Sequence, residues 1–230
     1  MRLPDKTGAM EGAIAAIADG ATIMLGGFGV PGTPFLMIQE LVRQNKRDLT
    51  IIKNDANETG MGVDHLLVAG CVRRLITTHL GLNANAIRMM NEGTIEIEFC
   101  AQGMLAERIR AGGAGLKGFV TDIGIDTEMG RGKQRVEIGG EVAMIETALR
   151  ADVALLHAAQ ADTFGNLRFA ATARNFSPLM AMAADTVIVE AEDIVTLGTI
   201  APEDVHTPGP FVDHVVHVPN LSEEYAVVRR

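Results

Sequence analysis

The chain has 230 residues, of which 47% are hydrophobic and 4% aromatic, with no Trp and a formal net charge of −9. That length suits one large α/β domain or two small ones, and the apolar fraction supplies an aliphatic core. The acidic balance speaks against general nucleic-acid binding and against an anionic membrane surface, while leaving room for a phosphorylated ligand held by backbone dipoles.

In chain order, residues 8–18 are alanine-rich and end at Asp19-Gly20, the pattern of a helix with a glycine stop. The run from Ala21 to Leu25, bounded by Gly20 and Gly26, predicts a buried strand. Gly26-Gly27-Phe28-Gly29-Val30-Pro31-Gly32 follows, a loop with four glycines in seven residues. Thr33-Pro34 then predicts an N-cap and a first-turn proline, opening a helix to Gln44. A strand, a glycine loop and a helix start bring backbone N–H groups close to an anion. The same pattern also serves as a tight turn with no ligand. It matches neither the dinucleotide G-x-G-x-x-G spacing nor a P-loop.

The next predicted strand is Leu49 to Ile52, running into the polar cluster Lys53-Asn54-Asp55-Ala56-Asn57. Asn54 here is either a turn former or a ligand contact at the carboxyl end of a strand. A short helix from Asp64 to Ala69, a strand from Arg74 to Thr78, a helix capped by Asn83 and running to Met90, and an alternating strand from Ile95 to Cys100 come next. Gln102 to Arg110 predicts a helix stopped by Gly112-Gly113. Gln102 stands at its start, where its amide points at a ligand or satisfies a helix-terminal N–H. Gly118 to Thr121 is a strand, residues 122–133 an exposed loop, and Gln134 to Ile145 a hairpin turning at Gly139-Gly140. Ala151 to Leu156 and Thr186 to Glu190 read as buried strands, with a helix started by Ser177-Pro178 between them. Phe211 to Val218 is the last strand, and residues 219–230 form a tail or a partner-contacting segment.

Strands alternating with helices predict a mostly parallel sheet covered on both faces. The strand ends then place Gly26 to Gly32, Asn54 and Gln102 along one rim. Cys71 and Cys100 match no metal spacing and read as reduced core thiols. His214 and His217 fall on opposite faces of a strand, so no metal is expected there. No apolar run approaches the roughly 18 residues of a membrane span, and the first residues lack a signal peptide's apolar core. A cytoplasmic location is the expectation.

Several motifs carry a resemblance. Asp19-Gly20-x-x-Ile-Met-Leu-Gly-Gly-Phe-x-x-x-Gly32-x-Pro34 resembles the first signature of the family I coenzyme A transferases, specifically the α chain of acetate or 3-oxoacid CoA-transferases. The likeness continues through Gln102-Gly103-x-Leu-x-Glu107-x-Ile-Arg110, Arg150-Ala-Asp152, Asp162-x-x-Gly-Asn166, Ala173-Arg-Asn175 and Thr207-Pro-Gly209. It spans residues 8–218, with 1–218 as a single domain. It implies a three-layer α/β/α open sheet like that of sugar-phosphate isomerases. It further implies ping-pong chemistry, in which a glutamate attacks an acyl-CoA thioester to give an acyl-glutamyl anhydride and CoA thiolate, and the thiolate returns to form a glutamyl-CoA thioester and release the carboxylate. That glutamate sits in a Ser-Glu-Asn-Gly motif on a β subunit, and the motif is absent here; Glu58-Thr-Gly is the nearest string.

The implied role is half an active site, completed by a β subunit in an α2β2 or larger complex. Coenzyme A is a substrate and no permanently bound cofactor is implied. Gly26, Gly27, Phe28, Gly29, Val30, Pro31 and Gly32 match the CoA and acyl cleft, and Asn54 a loop facing the carboxylate substrate. Gln102 matches a glutamine that stabilises the thioester oxyanion. Ala101, Met104, Asp122, Asp126 and Ala143 depart from the family pattern and bear on acyl specificity. The alternative is a non-catalytic module that binds CoA or a sugar phosphate on the same fold.

Overall fold

The computed structural model describes residues 3–225. In chain order it contains α1 (Met10–Ala15), β1 (Thr22–Leu25), α2 (Phe35–Arg43), β2 (Leu49–Ile52), α3 (Val63–Val68), β3 (Val72–Thr77), α4 (Ala84–Glu92), β4 (Glu96–Phe99) and α5 (Gln102–Gly113). There follow β5 (Gly118–Thr121), β6 (Arg135–Ile138), β7 (Glu141–Thr147), β8 (Ala151–Asp162), β9 (Leu167–Arg168), α6 (Ser177–Ala183), β10 (Ala184–Val195) and β11 (His214–His217).

Among the described residues the main sheet has the order β11-β10-β8-β1-β2-β3-β4, with β9 added antiparallel to β8. All other ladders in it are parallel. Parallel strands bury both faces, and the sequence alternates accordingly. Ile23, Leu25, Leu49, Ile51, Val153 and Leu155 face one core, shared with α1 to α4. Met24, Ile52, Ala154 and Leu156 face the other, shared with α5 and α6. The result is a three-layer α/β/α sandwich. Strand order runs outward from β1 in one direction through β2 to β4, then resumes on β1's other side with β8. The crevice beyond the carboxyl ends of β1 and β8 is therefore the topological switch point, where open α/β sheets bind ligands.

A second sheet, β5-β7-β6, is antiparallel. Its hairpin turns at Gly139 and Gly140, whose φ values of +64° and +86° suit a turn that favours glycine at both central positions. Arg108 on α5 ties this unit to the edge of the main sheet. It donates to Glu98 of β4 at 2.6 Å and to the Thr147 carbonyl of β7 at 2.9 Å.

The structure corrects several expectations. Gly112-Gly113 does not stop α5 but lies inside it, and Gly115 (φ +76°) follows the helix end instead. A Cβ at Gly112 would meet the Leu149 carbonyl at 1.9 Å, and one at Gly113 would meet Met182 Cβ at 2.8 Å. The pair is glycine because α5 packs closely on its neighbours. β8 and β10 extend beyond their apolar runs to 12 residues each, because they pair along their length from Ala184↔Ala151 to Val195↔Asp162. Ser177, expected as the cap of α6, is its first residue; Phe176 takes the cap position, and the Ser177 hydroxyl is buried without a hydrogen-bond partner among the described residues. The last strand shortens to His214–His217, because residues from Gly209 to Phe211 form a 3₁₀ turn. In the expected tail, Ser222, Glu224 and Tyr225 pack on the chain's own surface. Residues 226–230 of that tail lie outside the described residues.

Candidate functional site

The glycine loop sits at the switch point, between β1 and α2. Three of its glycines need their lack of a side chain. Gly27 has φ +101°, and a Cβ there would lie 2.2 Å from Thr33 Oγ1. Gly32 has φ +80°, and a Cβ would lie 2.6 Å from the Ala173 carbonyl. Gly29, at φ +59°, faces open space. Gly27 and Gly32 are thus required by close packing, and Gly29 by backbone conformation alone.

Most of the loop's polar groups are spent within the chain. The Gly27 N–H donates to Asn175 Oδ1 at 3.3 Å, the Phe28 N–H to the Pro31 carbonyl at 3.1 Å, and the Gly29 N–H to Asp55 Oδ2 at 2.8 Å. The expected Thr33 cap is not formed. Pro34 occupies the N-cap position of α2, and Thr33 Oγ1 donates back to the Gly29 carbonyl at 2.7 Å.

The N-terminus of α2 receives an anion from within the protein. Met37 N–H donates to Glu190 Oε2 at 3.0 Å, and Leu36 N–H also bonds this carboxylate. Glu190 is fully buried at the middle of β10, and its other oxygen lies 3.0 Å from His157 Nδ1. His157 Nε2 is 3.1 Å from Glu192. Burial alone would push the imidazole's pKa down, but the hydrogen bonds to Glu190 and Glu192 carry it to about 9. Burial likewise pushes Glu190 up, opposed by His157 and by the α2 amides. Burial leaves the Glu190 carboxyl above its ordinary range overall, while the His157 ring on one side and the helix N-terminus on the other favour its charged form. The expected anion cradle at α2 is therefore already filled by the chain's own carboxylate.

Asp55 organises the rim beside the loop. Its carboxylate accepts from Gly29 N–H, from Asn54 Nδ2 at 3.0 Å and from Asn57 N–H at 2.9 Å, and it pairs with Lys53 Nζ at 3.2 Å. Lys53 is 0% exposed. Burial would raise the Asp55 pKa, but Lys53 and the three N–H donors hold it below the usual carboxylate range. Asn54 is also fully buried: its side-chain amide donates to Asp55 and its main-chain carbonyl accepts from the Thr78 hydroxyl at 2.7 Å. In this chain Asn54 supports the rim from beneath.

Above Asp55 lies a pocket of ≈ 120 Å³ at the carboxyl ends of β1, β2 and β3. Phe28, Gly29 and Val30 form one wall and Met61 and Leu82 another. Asp55, Asn57, Glu58 and His79 supply its polar edge. Its walls are mostly apolar with a few polar groups at the edge, and its volume matches a small acyl-sized group rather than a whole cofactor. Phe28 and Leu82 stand at its mouth, 43% and 64% exposed. Of the residues expected from sequence, Phe28, Gly29 and Val30 line the pocket, while Gly26, Gly27, Pro31 and Gly32 build the turn behind it. Gln102 is not among the lining residues. It is exposed at the first position of α5, beyond the edge strand β4 and separated from β2 by β3. Asp55, Asn57, Met61 and Leu82 were missed as site residues. The polar run after β2 marked the place, but nothing local distinguishes Asp55 from Asn54 as the hub.

The Coenzyme A transferase family profile matches residues 7–218. The chain belongs to this family. It is 46% identical over 218 residues to the alpha subunit of a probable coenzyme A transferase of Bacillus subtilis (strain 168), covering 94% of this chain and 95% of that one. It is 42% identical over 216 residues, with the same coverages, to the alpha subunit of the acetate CoA-transferase of Escherichia coli (strain K12). Among solved structures, a variant of the decarboxylase AibA/AibB matches with TM-score 0.80 and 30% identity, over 94% of this chain and 84% of that one. Glutaconate coenzyme A-transferase from Acidaminococcus fermentans matches with TM-score 0.84 at 22% identity, over 93% and 75% of the two chains, which shows a shared fold. No helix among the described residues is long and apolar enough to cross a membrane.

Proposed function

We propose that this chain is the α subunit of a heteromeric CoA-transferase, moving CoA between an acyl-CoA and a short-chain carboxylate or 3-oxoacid. The nucleophilic glutamate belongs to a β subunit, in an α2β2 or larger assembly. The observation that carries the proposal is the chemistry of the rim pocket. It offers an apolar wall for an acyl chain, yet its buried carboxylate, Asp55, is held by four donors and is in no position to attack a thioester. The exposed apolar mouth at Phe28 and Leu82 suits closure by a second polypeptide. Relatives matched over nearly their whole length are named α subunits, which supports a partner of complementary role.

In this reading Gln102, at the exposed start of α5, aims its amide N–H at the thioester oxygen. The pocket walled by Phe28, Gly29 and Val30 of the glycine loop receives the acyl end of the CoA substrate. An oxyanion donor of this kind contributes about 10²–10³ in rate. Asn54 acts through Asp55, holding the rim that faces the carboxylate.

Glu58 gives a second reading, because it is exposed and lines the pocket. A nucleophile on this chain would make the partner non-catalytic. Incubating the assembled complex with acyl-CoA and locating the glutamyl-CoA thioester by peptide mass spectrometry decides between them. The thioester is expected on the partner chain; finding it on Glu58 would overturn the proposal.

A further inference from the structure

The segment after β11 returns to the underside of the rim pocket. Tyr225 packs against Val30, Phe35 and Met61. Val30 and Met61 are also walls of the pocket, so the phenol ring lies directly behind the surface a ligand would touch. The ring is fixed in several directions. It meets Phe35 edge-on, with centroids 4.9 Å apart at 83°, and lies 5.0 Å from the His157 ring. Its hydroxyl donates to the Thr33 carbonyl, at the exit of the glycine loop.

Glu224 anchors the same segment from the other side. Its carboxylate accepts the Gly62 N–H at 2.6 Å and Gln39 Nε2 at 2.8 Å, with His65 Nε2 at 3.4 Å. Gly62 is the N-cap residue of α3 and has no side chain with which to cap it. A carboxylate from 162 residues away accepts the N-cap residue's own N–H, where it also complements the helix dipole. Asn57, on the pocket's polar edge, accepts the next amide, Val63 N–H, at 3.1 Å. The C-terminal segment thus sets both the apolar wall and the helix start beside it.

We propose that Tyr225, held in place by Glu224, is a positioning residue that fixes the depth of the rim pocket and so the length of acyl group it admits. This rests on the pocket being the acyl site. The ring fills the space behind Val30 and Met61. Truncating it lets those side chains retreat, and an apolar pocket discriminates by about tenfold or more per methylene.

The test uses the full-length chain assembled with its partner subunit, with propanoate as acceptor, and acetyl-, butanoyl- and hexanoyl-CoA as donors. Tyr225→Ala is expected to raise the kcat/KM ratio of hexanoyl- to acetyl-CoA by about tenfold, while Tyr225→Phe, which keeps the ring, leaves that ratio within about twofold. Met61→Ala, on the pocket wall itself, is the control and is expected to move the ratio in the same direction. If Met61→Ala shifts the ratio and Tyr225→Ala changes all donors equally or none, the role of Tyr225 is refuted and the pocket assignment stands. If neither variant moves the ratio, the pocket is not the acyl site and the inference falls with it. Should Tyr225→Ala fail to assemble, Tyr225→Leu and Glu224→Gln carry the same expected direction, and an unchanged ratio in both refutes the inference.

Discussion

Replacing Asp55 by Ala removes the hub of the rim, and its cost follows from what is left behind. Lys53 is 0% exposed and its counter-charge is Asp55 at 3.2 Å. Breaking a buried ion pair from one side costs about 3–5 kcal/mol, because the remaining charge is uncompensated. The Gly29 and Asn57 N–H groups lose their acceptor as well. Native domains hold only about 5–15 kcal/mol in total, so the loss is a large share. At roughly 2–4 °C per kcal/mol for a chain of this size, Tm falls by about 10 °C. The chain has no Trp and one Tyr, so urea unfolding followed by far-UV circular dichroism is the suitable assay. The double variant Lys53→Met with Asp55→Ala removes both charges and is expected to recover at least half of the loss. Asp55's folded pKa lies below its ordinary value of 3.8. Its stabilisation is thus present above that value and lost as the pH falls through the folded pKa, so the gap between parent and Asp55→Ala narrows in acid. A single variant within about 1 kcal/mol of the parent, or a double variant no more stable than Asp55→Ala, would refute the reasoning.

Three further outcomes are expected. Gln102→Ala lowers turnover of the assembled enzyme by about 10²–10³ with little change in stability; steady-state kinetics on the complex checks it, and an unchanged kcat removes Gln102 from oxyanion stabilisation. Gly29→Ala adds a side chain into open space at φ +59° and costs only about 1–2 kcal/mol, whereas Gly27→Val drives atoms into Thr33 and prevents normal folding, as thermal melts of the two variants report. The His157 pKa is raised from 6.5 to about 9, so its contribution is fully present below 6.5 and is lost as the pH rises through 9. Thermal stability therefore declines across that window, and the decline is shallower in His157→Gln.

The sequence made the periodic parts of the fold legible. Leu49 to Ile52, the Gly139-Gly140 hairpin and the Asn83 cap, which accepts the Ala86 N–H at 2.8 Å, all depend on local chemistry and form where local signals place them. The same local logic fails at Thr33-Pro34 and Ser177-Pro178. Both look like caps, yet the α2 N-terminus is satisfied by Glu190, 153 residues from Met37, and at α6 Phe176 takes the cap position with no side-chain bond. Caps supplied from distant strands leave no mark in the window a local reading uses. The site divides along the same line. The glycine loop announced itself by composition, and the parallel sheet placed it at the rim. That its neighbouring anions are Asp55 and Glu190 depends on which strand ends meet in space. Asn54 and Asp55 are adjacent and chemically similar, and only the approach of Lys53 and Gly29 makes Asp55 the hub.

The central claim is that the chain holds a binding half-site and borrows its nucleophile. The most direct measurement is acyl-CoA to carboxylate exchange by the purified chain alone, compared with the same chain after its partner subunit is added. No exchange is expected from the chain alone and steady turnover from the complex. Exchange catalysed by the chain without any partner would contradict the account.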